Sequence, residues 1–108
     1  MQIDLKQLEF IDPKLREIAL AVEDEFGEQV ITSLYRIDDA GVHGTLPLRG
    51  IDLRCLSRVT GEKISMFVNS MYRYDYKRPL KDCCICHNTG QGLHIHLQSH
   101  PNTRRVHV

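Results

Sequence analysis

The sequence predicts an α+β domain in which a small antiparallel sheet is covered by two helices. Three observations carry that expectation. Two stretches repeat apolar residues at helical spacing, and four shorter ones are β-branched or alternate with period two. The length of 108 residues suits one domain, residues 1–108, with a single modest core.

Asp12-Pro13 opens the first helix: a capping carboxylate, then a proline where its missing N–H does no harm. Leu15, Ile18, Ala19, Val22 and Phe26 follow on one face, and Gly27 can close the helix with positive φ. Val30 to Ile37 is β-branched and aromatic and reads as a strand, and Asp38 to Pro47 reads as a loop. From Gly50 to Cys55, Ile51, Leu53 and Cys55 alternate with Asp52 and Arg54, as in a half-buried strand with Asp52 on its polar face. Thr60 is the expected cap of a second helix whose apolar face is Ile64, Phe67, Val68 and Met71. Asp82 to His87 and Leu93 to Gln98 form a strand pair around the loop 88–92, and the tail after Pro101 is expected to be loose.

Composition narrows the function classes. Fourteen basic and fourteen acidic side chains cancel, so no global field favours a nucleic-acid partner. No apolar run approaches the roughly 20 residues of a membrane helix, so no membrane partner is expected. The N-terminal residues lack a charged and then apolar leader, which predicts synthesis in the cytoplasm without a signal peptide. Of four cysteines, Cys83, Cys84 and Cys86 crowd into CCIC, and only Cys55 lies apart. Reduced thiols or metal ligands account for them better than a disulfide framework; Cys83, Cys84, Cys86 and His87 include good zinc ligands, but their spacing is not a standard knuckle and buried strand thiols fit better.

The chemistry begins with Leu93-His94-Ile95-His96-Leu97. Residues two apart on a strand share a face, so His94 and His96 project together, about 7 Å apart, while Leu93, Ile95 and Leu97 turn inward. HxH alone is also what two surface histidines look like. His43 and Asp52 add an imidazole and a carboxylate, both ordinary zinc ligands. Taken singly, Asp52 could pair with Arg49 or Arg54 and His43 could be a plain loop residue. Together with a histidine of the His-Ile-His pair they make three protein ligands with one open position, the catalytic arrangement of zinc.

These residues resemble the zinc D-alanyl-D-alanine carboxypeptidase and hedgehog-like metallopeptidase superfamily. Gly41-Val42-His43 through Arg49-Gly50-Ile51-Asp52-Leu53-Arg54 resembles its loop-and-strand ligand element, and His94-Ile95-His96 its terminal one. Leu34-Tyr35-Arg36 resembles the strand-borne Tyr-Arg of the family. The resemblance covers about residues 30 to 98. It implies a hedgehog/DD-peptidase-like fold, a Zn2+ cofactor on His43, Asp52 and His96, and hydrolysis of a peptide bond in a cell-wall peptide, often beside a D-amino acid. It further implies that Arg36 binds the substrate carboxylate or the developing oxyanion. Short chains of this type also occur in bacteriophages, which suggests a phage-encoded protein released to the cell wall. Two departures stand out. Eight residues separate His43 from Asp52 where the family has six, so 46–48 must bulge. Gly90, Gln91, Gly92 and Leu93 provide no carboxylate base, which leaves His94 as the catalytic proton carrier and His87 as its reserve.

Two alternatives fit parts of the pattern. One is a His-hydrophobic-His nuclease for single-stranded DNA, with Tyr72, Tyr74 or Tyr76 as nucleophile. The YRYDY run reads more simply as an exposed aromatic edge. The other is a non-catalytic zinc-stabilised module. His100 and His107 fall in the tail as surface residues.

Overall fold

The computed structural model describes residues 11–35, 48–88 and 92–106, with the backbone alone for 33–35. The elements in order are α1 (Pro13–Phe26), β1 (Ile31–Tyr35), β2 (Gly50–Arg54), α2 (Arg58–Met71), β3 (Tyr72–Arg73), β4 (Cys84–Asn88), β5 (Leu93–Gln98) and β6 (Arg104–Arg105). This is an α+β arrangement with a small antiparallel sheet and two helices. β1, β2, β5 and β4 lie side by side in that order, antiparallel throughout, and β3 pairs with β6 in a separate ribbon.

The expected period-two alternation decides which face of the sheet is dry. Ile51, Leu53, Ile95 and Leu97 are fully buried against Leu15, Ile18 and Val22 of α1 and Ile64 and Val68 of α2. Each such side chain contributes about 1.5–3 kcal/mol by leaving water. Phe26 and Phe67 meet edge to face at 5.5 Å and close the contact between the helices. Alternation turns Asp52, Arg54, His94 and His96 to the opposite face. The core therefore fixes the strands from one side and leaves the other side to polar chemistry.

Asp12 joins three parts of this frame. Its Oδ2 accepts from the N–H groups of Lys14 and Leu15 at 3.1 Å, capping α1, and from the hydroxyl of Ser99 at 2.9 Å. Its own N–H donates to the Leu48 carbonyl just before β2. One carboxylate thus ties the start of a helix to the strands that carry Asp52 and His96. At the edge of the sheet, the Asn69 side chain of α2 accepts from Cys84 N–H at 3.0 Å and donates to Cys84 C=O at 2.9 Å. It stands in for a missing neighbour strand.

Four expectations are corrected. Ser57, not Thr60, caps α2, accepting from Thr60 N–H at 3.1 Å; the two hydroxyls stand three residues apart and only geometry chooses between them. The last strand pair begins at Cys84 rather than Asp82. The tail through Val106 is held rather than loose. Arg104 and Arg105 pair with Arg73 and Tyr72, and the buried Thr103 hydroxyl donates to the Tyr74 carbonyl at 2.7 Å. His100 belongs to this lobe, accepting from Asn102 N–H and lying against the Tyr74 ring. Finally, Tyr72 and Tyr74 are buried, and of the three tyrosines in the YRYDY run only Tyr76 is exposed. The positions 36–37 expected at the end of the first strand, the loop 38–47 and His107 lie outside the described residues.

Candidate functional site

Asp52 on β2 and His96 on β5 are direct register partners, so the central strand pair itself brings them together. His96 Nδ1 stands 3.0 Å from Asp52 Oδ1, and both side chains are more than four-fifths shielded from solvent. The Arg49 guanidinium, one of the expected partners of Asp52, lies 3.8 Å from Asp12 instead.

Sequence reasoning overlooked Gln98. It lies two residues beyond His96, on the same face by alternation, and its Oε1 is 3.1 Å from His96 Nε2. The Gln98 amide is oriented by the Asp82 carbonyl, which accepts from Nε2 at 2.6 Å. That leaves Oε1, an acceptor, toward the imidazole, so His96 Nε2 carries a hydrogen. In a neutral ring the lone pair then sits on Nδ1 and points at a carboxylate oxygen, which has no hydrogen to offer.

Two lone pairs cannot be held face to face at 3.0 Å without a positive centre beside them. A second ring proton or a metal ion satisfies the pair. The donor set fits a metal. Bonds of about 2.0–2.2 Å in a tetrahedral zinc shell set neighbouring N and O donors roughly 3.3 Å apart, close to the separation seen. The contact from Nε2–H to a carbonyl oxygen is the outer-shell support that metal-bound histidines usually have.

More imidazole nitrogen lies on the same face. His94 pairs with His87 of β4 and with Arg54 of β2, and the His87 and His96 rings are 6.1 Å apart. His87 Nε2 and His94 Nδ1 are buried and have no hydrogen-bond partner among the described residues. An orphaned buried nitrogen costs about 1–3 kcal/mol, so each is a place where a ligand or water gains by binding. The described residues hold no group of three or more His, Cys, Asp or Glu side chains placed to share an ion. Of the expected site, Asp52 and His96 converge, His94 lies beside them, and His43 and Arg36 lie outside the described residues.

The tyrosines are elsewhere. Tyr72 belongs to the β3–β6 ribbon and donates to Glu17 Oε2 at 2.7 Å; burial, then that carboxylate, push its hydroxyl up to about 12. Arg78 and Lys81 stack over Tyr74 at 5.4 and 5.3 Å. Cys83 and Cys84 are buried, and burial pushes both thiols up to about 12, as suits small apolar core residues.

Comparison of the chain with protein-family models, with curated proteins and with solved structures finds no match.

Proposed function

We propose that this protein is a zinc-dependent peptidase of the D-alanyl-D-alanine carboxypeptidase and hedgehog-like type, hydrolysing a peptide bond of peptidoglycan or of a related D-amino-acid peptide. The observation that carries the reading is the convergence of Asp52 Oδ1 and His96 Nδ1 on neighbouring strands, with Gln98 holding the far side of the imidazole. Asp52 and His96 both lie on the central pair of the antiparallel sheet, which supports the reading.

Asp52, His96 and His43 would hold the ion. Zinc supplies Lewis acidity toward a water and a carbonyl oxygen when bound there. The remaining roles fall to the chain. Asp52 neutralises part of the ion's charge, and Gln98 fixes the His96 ring. His94, whose buried Nδ1 has no partner among the described residues, receives the proton given up by the attacking water and passes it to the leaving amine. Arg36 orients the carboxylate of the substrate or stabilises the oxyanion.

Incubation of the zinc-supplemented protein with a peptide ending in D-Ala-D-Ala, and with cell-wall muropeptides, tests the reading. Release of D-alanine or of shortened muropeptide is expected. It should be lost with a chelator and in Asp52→Ala. Absence of any cleavage by protein that carries zinc would leave a zinc-stabilised module without peptidase activity.

A further inference from the structure

On the helix-covered face of the sheet a second pair of reactive groups meets. Cys55 follows the last residue of β2, Cys86 lies within β4, and β5 runs between those strands. Gly61, in the first turns of α2, sits directly over them. A Cβ at that position would lie 2.5 Å from Cys86 Sγ and 2.9 Å from Cys55 Sγ, so both sulfurs crowd one point that only a glycine leaves open. Cys55 Sγ donates to the Ser57 carbonyl at 3.1 Å, and burial, then the neighbouring Cys55, raises the Cys86 thiol above its ordinary range. Both cysteines are partly exposed, whereas Cys83 and Cys84 are buried.

We propose that Cys55 and Cys86 are a disulfide-forming site whose co-reactant is a small disulfide such as oxidised glutathione. One thiolate attacks a glutathione sulfur, forms a mixed disulfide and releases one glutathione thiolate, which takes up the proton lost by the protein thiol. The second thiolate attacks the protein-bound sulfur of that mixed disulfide and releases the second glutathione. The protein loses two hydrogens and two electrons, and one oxidised glutathione becomes two reduced ones. The new bond spans β5 and braces β2 to β4, the strands that hold Asp52 and His87 in place on the opposite face. Cross-linking positions this far apart in sequence constrains the unfolded chain and raises the stability of the folded one.

The test treats the reduced full-length chain, with chelator present to keep metal off the thiols, with oxidised glutathione. It then quenches by alkylation and measures intact mass and a peptide map. The expected product is lighter by two hydrogens before alkylation, retains no glutathione, and yields a Cys55–Cys86 linked peptide. Its Tm should exceed that of the reduced chain by about 5 °C or more. Cys55→Ser should instead keep one glutathione on Cys86. Glutathione retained on the native chain, a bond involving Cys83 or Cys84, no oxidation at all, or an oxidised product with unchanged or lowered Tm would overturn the proposal.

Discussion

Both ring nitrogens of His96 face oxygen acceptors: Nδ1 lies 3.0 Å from Asp52 Oδ1 and Nε2 lies 3.1 Å from Gln98 Oε1. A neutral imidazole has one hydrogen for two such neighbours. A second ring proton or a metal ion completes the arrangement, and the proposed function takes the metal ion.

Asp52→Asn keeps the size of the side chain and removes its charge. Asp52 points away from the packed face, so the fold should survive, with an unchanged far-ultraviolet spectrum. Zinc affinity should fall by more than the about 10–100-fold that loss of an outer-shell partner costs. Competition against a chelating dye measures this, and an affinity equal to that of the parent chain counts against Asp52 as a ligand.

Gln98→Leu tests the outer shell. It leaves the Asp82 carbonyl and the His96 Nε2–H without their partner. Zinc affinity should drop about 10–100-fold. Stability in urea should fall by about 1–3 kcal/mol, the cost of leaving buried polar groups unpaired. A loss of stability alone would give Gln98 a purely structural role.

Asp75 predicts an acid limb. The Lys77 N–H first, then the Asn102 amide and the Arg78 guanidinium, hold its carboxyl down to about 2 from an ordinary 3.8. A depressed folded-state value means that the unfolded chain binds the proton more readily. The contribution is therefore present above pH 3.8 and is lost as pH falls toward 2. Tyr72 gives the alkaline counterpart: its hydroxyl is raised from 10.0 to about 12, so its contribution is lost as pH rises between those values. Urea unfolding across both ranges should show Asp75→Asn flattening the acid limb and Tyr72→Phe flattening the alkaline one.

Thiol accessibility checks the packing. In reduced, chelator-treated native protein at pH 8, Cys55 and Cys86 should alkylate readily. Cys83 and Cys84, buried and held up at about 12, should react only after unfolding. Mass spectrometry of the labelled peptides distinguishes the two classes, and equal rates at all four would contradict the core described above.

Much of the fold was legible because the signals were periodic. Asp12-Pro13 and the apolar face from Leu15 to Phe26 mark α1. The alternation at Ile51-Asp52-Leu53 and at Leu93 to Gln98 assigns the faces of β2 and β5. What was not legible lacked a period or depended on pairing. The β3–β6 ribbon has two residues per strand, too few to show alternation, and its partners lie more than thirty positions apart. The pairing of Asp52 with His96 is a matter of register, which local pattern does not encode. Gln98 could have been found by extending the period-two rule one step beyond His96. Its role depends on Asp82, a distant neighbour that sequence does not place.

The most direct test of the central claim is elemental analysis of the purified chain, compared with His43→Ala, Asp52→Asn and His96→Ala. About one zinc per chain in the parent, lost in all three variants, is the predicted result and would put the three residues on one ion. A parent chain that takes up no zinc, or zinc retained after Asp52→Asn or His96→Ala, would contradict it. A second ring proton would then be what fills the gap between His96 and Asp52.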